Sequence, residues 1–539
     1  MLAAEAELIL SRGVIHTCDP AQPRAEAIAV AGGQVLAVGS SDEIEGLRRP
    51  TTRRIDLEGA LVLPGLSDGH THLEKYAPFI DALDLRDVAS REEFRLRVRA
   101  AAADIGPDGW LLGCNWNEER WGGEPPDRGW IDDLTPTTPA VLFKEDLHQA
   151  LCNGVALARA GIGAGTPPPP GGVIVEDERG RPNGILMESA MRPVEALVPQ
   201  LSPELRGSAQ RRVLALANSL GITHICDVSV EPDDLGWFFD AEKAGALTCR
   251  LDLFPPIEKW EKLARAGLRS GVGLELTRLG GVKGFLDGSL GSRTALMFED
   301  YLDEPGRRGN LSGMAEPLSG MQAMLLCADH AGLRVALHAI GDAANRIALD
   351  MFERVRRESR YPYPGLRHRI EHAQHIHPDD VPRFAELGLV ASCQPAHLTG
   401  DGCFAEKRLG RDRCRHSYPF RSLLDAGTTV IFGSDWTVAD LNPFLGIWAA
   451  VTRKTDDGEH PDGWVPEQKL TVEEAVAAYT VSAARASGQE GEWGWLAPGL
   501  AADLVVLDRN IFNCDPDEIR DTAVLRTLLA GRQVYPETE

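Results

Sequence analysis

The chain predicts an α/β protein: a distorted (β/α)8 barrel, a composite β-sandwich built from both termini, and an α/β insertion after the first barrel strand. Three observations lead there. Eight short apolar runs alternate with helix-periodic stretches through the middle of the 539 residues, the pattern of βα units and a parallel sheet. Both ends read instead as short strands separated by turns. Between the first two apolar runs, residues 73–205 form a gap too long for a structureless loop.

The terminal strands fall at residues 7–10, 14–17, 27–30 and 34–38, with Gly32 and Gly33 turning the chain between the last two. At the far end, 495–498, 503–507 and 524–529 alternate in the same way, and Gly531 turns the last into 533–535. Residues 1–63 plus 485–539 therefore form the expected sandwich. The barrel takes 64–72 plus 206–484, with strands at 61–66, 222–227, 249–254, 279–285, 334–338, 369–372, 389–394 and 429–433. Helical patterns lie between them, for instance at 319–331, 343–358 and 378–387. Within the 73–205 insertion, 173–176 and 184–188 read as a hairpin turning near Gly180, after a proline-rich loop at 166–170. The insertion leaves from the C-terminal side of strand one, where barrel active sites sit, so it should cover the site.

Composition excludes several functions. Fifty-six Lys+Arg against 80 Asp+Glu give a net charge of −24, which argues against nucleic acid or an anionic membrane as partner. Residues 1–13 show no signal pattern, and no apolar run approaches the ~18 residues of a membrane span. Ten cysteines without a C-x-x-C read as reduced, mostly buried thiols. The expectation is a cytoplasmic protein acting on a small-molecule substrate, with a homodimer as the base-rate oligomer.

The chemistry concentrates in Leu63-Pro-Gly-Leu-Ser-Asp-Gly-His70-Thr-His72. Side chains two apart on a strand share a face, so His70 and His72 can grip one divalent metal. Lys283, His338, His372 and Asp435 each stand at the end of a later apolar run, and barrel strands converge at that end. Imidazole and carboxylate suit zinc. Lys283 is the odd member, because an ammonium binds no cation. Desolvation lowers an amine's pKa, and a neutral amine reacts with carbon dioxide to give an anionic carbamate with two oxygens, able to bridge two metals. A snorkelling lysine is the alternative. Asp435 has two readings: it caps the segment that follows, or, as the barrel setting favours, it is ligand and general base together, taking the proton of a metal-bound water whose pKa falls towards ~7 and passing it to the leaving nitrogen.

These stretches resemble the amidohydrolase superfamily and, within it, the YtcJ-like branch that includes N-substituted formamide deformylases. The resemblance rests on Pro64–His72 with its His-Thr-His, on Lys283-Gly-Phe-Leu-Asp-Gly-Ser-Leu-Gly-Ser-Arg-Thr-Ala295, and on His338-Ala-Ile-Gly-Asp342. Arg369-Ile-Glu-His-Ala-Gln374, Ser392-Cys-Gln-Pro-Ala-His397 and Gly433-Ser-Asp-Trp436 complete it. It implies hydrolysis of a carbon–nitrogen bond other than a peptide bond. It also implies metal ligands at His70, His72, Lys283, His338, His372 and Asp435, with one or two zinc ions and a carboxylated Lys283. It places His148, inside the insertion, near the pocket.

Other substrate-contact candidates are Asp287 and Arg293 beside the lysine, His397 after strand seven, and Trp116, Trp121 and Trp436 as an apolar lining. Asp287-Gly288 also reads as a plain turn. Glu371 should pair with Arg369. Two rival functions remain open at this stage. A deaminase of the same superfamily would keep one metal and a Glu shortly after the strand-five His, which Ala339-Ile-Gly-Asp342 lacks. A non-catalytic regulatory protein would have lost ligands, and none is missing.

Overall fold

The structure is a computed structural model and describes residues 5–106, 109–199, 202–362 and 365–537. Parallel strands dominate its centre. β1 (Leu66–Thr71), β2 (Ile222–Asp227) and β3 (Arg250–Leu253) pair side by side with the first half of β4 (Thr277–Leu279). The chain bends at Gly280-Gly281, and β4 resumes as Val282–Phe285 at the edge of a second sheet. That sheet continues through β5 (Val335–Ala339), β6 (Arg369–His372), β7 (Val390–Cys393) and β8 (Thr429–Phe432), all parallel. The bend needs glycine: a Cβ at Gly280 would lie 2.3 Å from Phe254 and one at Gly281 2.4 Å from the Arg334 carbonyl.

The sheets also meet at their other edges. Thr71 and Trp436 form a parallel bridge, the Asp435 amide donates to the His70 carbonyl at 2.7 Å, and the His72 amide donates to the Trp436 carbonyl at 3.0 Å. Helices cover the strands through one large apolar core. α1 (Asp342–Glu358) shows why such a segment folds here. Ala344, Ala348, Leu349, Phe352 and Val355 recur at helical spacing and are buried, while Asp342 in its first turn and Arg356 and Arg357 in its last complement the helix dipole.

Strands from both ends of the chain share one mixed sheet, in which Leu61–Pro64 lies between Val14–His16 and Leu504–Leu507. A second sheet (Leu8–Ser11, Ala27–Ala31, Gln34–Gly39, Arg53–Asp56) packs on it through a common apolar layer that includes Leu10, Ile28, Val62, Leu504 and Leu528. The segment after β1 carries its own six-stranded sheet, running from Leu83–Asp84 to Pro182–Met187, with two apolar clusters on its faces.

Two strand boundaries differ from expectation. The 61–66 run is split at Gly65: its first half joins the terminal sheet and its second half opens β1. Gly65 donates to the Asp503 carbonyl at 2.9 Å, and a Cβ there would sit 2.2 Å from the Thr223 hydroxyl. Residues 495–498 form no strand. Leu496 is anchored instead by its buried side chain and one bond to the Thr17 carbonyl.

The parallel strands and the terminal sheet are tied by a buried ion pair. Arg250 on β3 donates through Nε to Asp503 at 2.6 Å, and Asp503 also accepts the Ala530 amide. Removing one partner of a buried pair leaves the other charge unpaired, at a cost of about 3–5 kcal/mol. Asp503→Ala should lower the chemical-denaturation midpoint accordingly. A surface pair such as Arg265–Glu261 serves as the control, expected to change stability by under ~1 kcal/mol.

Candidate active site

The C-terminal ends of β1, β6 and β8 bring four of the expected side chains together. One donor atom from each of His70, His372 and Asp435 lies within 4.8 Å of the others. His72 Nε2 stands 3.0 Å from Asp435 Oδ1, and His70 Nε2 stands 3.4 Å from the same oxygen. Asp68 holds the end of β1 to the loop after β8: its Oδ1 accepts the amides of His70 at 3.1 Å and Ser434 at 3.0 Å. A Cβ at Gly433 would fall 2.4 Å from the His70 nitrogen, so only glycine permits this approach. His372 and Asp435 both sit in the left-handed region, at φ 70° and 60°, a conformation that non-glycine residues keep mainly where surrounding structure imposes it.

Behind the cluster, Glu371 fixes the imidazole of His70. Its Oε2 accepts from His70 Nδ1 at 2.5 Å, while Arg369 Nε donates to Oε1 at 2.7 Å. The expected Arg369–Glu371 pair is present; its grip on His70 was not foreseen. Burial alone would raise Glu371, but Arg369 and His70 hold it well below the usual carboxylate range. With Nδ1 donating, His70 presents the Nε2 lone pair to the cluster. Burial pushes His72 down to about 4, and His338 and His372 well below the ordinary imidazole value. Burial opposes ionisation of Asp435 too, yet His70 and His72 keep it well below the usual range. Neutral imidazoles around an ionised carboxylate are the states that cation binding requires.

Several buried polar atoms of the site lack a protein partner. Among the described residues, His70 Nε2, His72 Nδ1, His372 Nδ1, Asp435 Oδ1 and Lys283 Nζ are buried without hydrogen-bond partners. Such atoms are costly unless something satisfies them, and this donor set suits a divalent metal. Lys283 lies in the same cavity wall, its nitrogen 4.8 Å from the Phe285 ring centroid, and burial lowers it to about 8. His338 stacks edgewise 4.4 Å from His372, but its Nε2 donates to the Gly288 carbonyl at 3.1 Å. A second buried trio, His224, Cys226 and Asp252, is more fully held by protein: His224 Nδ1 meets the Ser67 hydroxyl and Arg369 contacts Cys226, while His224 Nε2 and Asp252 Oδ2 face each other at 3.5 Å without a hydrogen-bond partner among the described residues.

The cluster opens on a cleft with two lobes, of about 360 and 510 Å³, that share Asp146, His148, His372, Asp435 and Val438. His148 stands at that neck, lining both lobes. Glu188 grips its Nδ1 with both oxygens, at 3.0 and 3.1 Å. Burial would lower His148, but Glu188 outweighs it and raises the imidazole to about 9. Leu147 and Glu188 themselves take left-handed φ values of 56° and 53°. His397 also lines the cleft, 3.9 Å from Asp435 Oδ2.

Four of the expected contacts lie away from the two lobes. Trp116 is fully buried inside the insertion, donating to the Leu142 carbonyl. Arg293 turns to Asp303 at 2.6 Å, and Trp436 packs half-buried against the main core; neither lines the two lobes. Trp121 likewise packs on Phe94 and Trp130. Asp287 does border a lobe, with its oxygens accepting the amides of Leu296, Ile340 and Gly341 at 2.8–3.0 Å. That makes it the anchor of the loop after β4. Glu188, Asp68 and Asp146 went unnoticed because their partners lie 40 to 366 residues away or in backbone amides, which no local spacing reveals.

Comparison with known proteins places this geometry. The model of the amidohydrolase family matches residues 53–535. Protein LONG AFTER FAR-RED 3 of Arabidopsis thaliana is 38% identical over 98% of this chain and 92% of its own. The putative amidohydrolase YtcJ of Bacillus subtilis is 30% identical over 98% and 99%. The N-substituted formamide deformylase of Arthrobacter pascens is 29% identical over 99% and 99%. Among solved structures, an uncharacterized metal-dependent hydrolase from Pyrococcus horikoshii superposes with a TM-score of 0.76 at 27% identity, covering 95% of this chain and 99% of that one. The fold is of the TIM-barrel type shared by such enzymes, and the chain belongs to the amidohydrolase family.

Proposed function

We propose that this protein is a metal-dependent hydrolase that cleaves the carbon–nitrogen bond of an amide or N-substituted formamide. The observation that carries the reading is the buried meeting of His70, His372 and Asp435, with His72 Nε2 against Asp435 and donor atoms left unpartnered, in the wall of a cleft that His72, His372 and Asp435 line. The likeness to a formamide deformylase over the whole chain supports the bond type. In this reading 64–72 plus 206–484 close as a distorted (β/α)8 barrel, 1–63 plus 485–539 form the composite sandwich, and 73–205 roofs the site.

His70, His72, His372 and Asp435 would hold a zinc ion, with Lys283, as a carbamate, and His338 completing a second position. A divalent ion there polarises the carbonyl oxygen and makes water a nucleophile at neutral pH. The protein supplies the remainder. Asp435 takes the proton of the attacking water on a carboxylate oxygen and delivers it to the leaving nitrogen, so that a carboxylic acid and an amine depart. Glu371, through His70 Nδ1, keeps the His70 ring from turning. His148, fixed by Glu188, presents Nε2 to the scissile group at the neck of the cleft.

Protein purified without added metal should contain about two zinc-like ions per chain by plasma mass spectrometry, and Lys283→Ala about one. Absence of metal, with none regained on adding zinc or manganese, overturns the assignment. Asp435→Asn should lower kcat about 10³-fold; if the variant keeps its metal and stays within tenfold of the parent, another group moves the proton. His148→Asn should cost about 10²-fold in kcat/KM with metal content unchanged. Equal metal loss in that variant would make His148 part of the metal scaffold instead.

A further inference from the structure

The shape of the cleft bears on the substrate. The two lobes lie on either side of one neck, where His148, His372 and Asp435 face both. Each lobe alone reaches the size range of a small-molecule site, roughly 300–1,000 Å³. A formyl group is a single carbon and would fill the neck only, leaving one lobe without an occupant.

The lining decides the polarity of the arms. In the lobe beside His397, the inner cations are already neutralised. Arg86 donates to Glu145 and to the carbonyls of Thr437 and Val438, and Lys144 donates to Glu118 at 2.6 Å. Arg408 is held by Glu119 and the Leu290 carbonyl. Leu290, Ile340, Phe404 and Leu445 supply the apolar wall between them. In the lobe beside Lys283, Tyr76, Met191, Val228, Phe285 and Met314 do the same, and Lys75 faces Glu195 at 3.7 Å. An anionic arm in the first lobe would compete for cations that are already paired and would face the carboxylates of Asp440 and Asp456, whereas an uncharged one would lie on apolar wall.

We infer that the cleft takes a secondary amide free of anionic groups and bearing a bulky group on each side of the scissile carbonyl–nitrogen bond, the acyl group in the lobe beside His397, the amine substituent in the lobe beside Lys283 and the bond at the His148 neck. The inference rests on the hydrolytic reaction proposed above and narrows its substrate. Water's oxygen bonds to the carbonyl carbon, the carbon–nitrogen bond breaks and the nitrogen gains a proton, leaving a carboxylic acid in one lobe and a primary amine in the other.

The test uses the full-length, zinc-loaded protein and a series of amides of one aryl amine: formyl, acetyl, butanoyl and hexanoyl. Release of the amine gives kcat and KM for each. The inference expects kcat/KM to rise by about tenfold or more from formyl to hexanoyl, since each methylene buried in an apolar pocket contributes to discrimination. Leu445→Trp, which fills the lobe beside His397, should remove most of that gain while the series on the parent protein stands independently of how the variant folds. A preference for formyl, with a tenfold fall for longer acyl groups, overturns the inference and leaves the hydrolase reading intact. A loss on Leu445→Trp that is equal for every acyl length overturns it also. No hydrolysis of any member, formyl included, overturns the hydrolase reading and this inference with it.

Discussion

One buried guanidinium, that of Arg369, joins the packing of the fold to the chemistry of the site. Arg369 is 1% exposed. It donates to Glu371 through Nε and to the Gly69 carbonyl and Ser392 hydroxyl through a terminal nitrogen, contacts Cys226, and lies over the Phe254 ring. Its partners therefore come from β1, β2, β6 and β7 at once. A charge so deep is unfavourable unless paired and hydrogen-bonded, and Glu371 meets the first condition while the carbonyl and hydroxyl meet the second. The same carboxylate orients His70. Strand positions and the aim of the His70 ring thus follow from a single charge balance, and neither can shift without the other.

The insertion is bound into that arrangement through the loop after β4. Asp146 accepts from the hydroxyls of Ser289 and Ser292 at 2.8 and 2.6 Å, and Lys144 reaches the Gly291 carbonyl at 3.3 Å. Glu188 packs so closely on the same loop that a Cβ at Gly288 would lie 2.2 Å from its Oε1; one at Gly291 would lie 2.7 Å from Asp146. Gly288 in turn offers its carbonyl to His338. A segment more than a hundred residues long is thereby registered against the site to within hydrogen-bond distances. Side chains that it contributes, His148 above all, sit on rigid supports, a condition for precise positioning of a reacting group.

How far the sequence foretold this differs by level. The parallel strands and the metal-type residues at their ends were legible because period, apolar runs and strand-end position are local signals; each strand fell within a few residues of its expected place. The break at Gly65 was not, because Leu61 to Leu66 is apolar throughout and only the partners, Asp503 and Thr223, separate its halves. Supporting residues were the least visible. Glu371 had a readable neighbour in Arg369, but its bond to His70 spans 301 residues, and that of His148 to Glu188 spans 40. Tryptophans misled for a physical reason: Trp116 and Trp121 have large apolar area that folding buries first, so aromatic content near a site predicts packing better than contact with substrate.

The polar interior also argues that the fold and the bound cation are coupled. Most buried polar groups in such a protein find partners within it, as Arg369, Asp287 and Asp68 do here. His70, His372 and Asp435 instead bring donor atoms within 4.8 Å of one another, and these three, with His72 and Lys283, keep buried polar atoms without partners among the described residues. Each would cost about 1–3 kcal/mol if left unsatisfied, and two of the residues carry left-handed backbone as well. Packing alone gives no reason to collect these costs in one place. Binding a divalent ion at the proposed site would: it would offset them together, and because His70, His372 and Asp435 come from β1, β6 and the segment after β8, its binding energy would act on the same strand edges that Asp68 and Arg369 hold. A metal-binding amidohydrolase site of this kind is then a structural tie as much as a catalytic one.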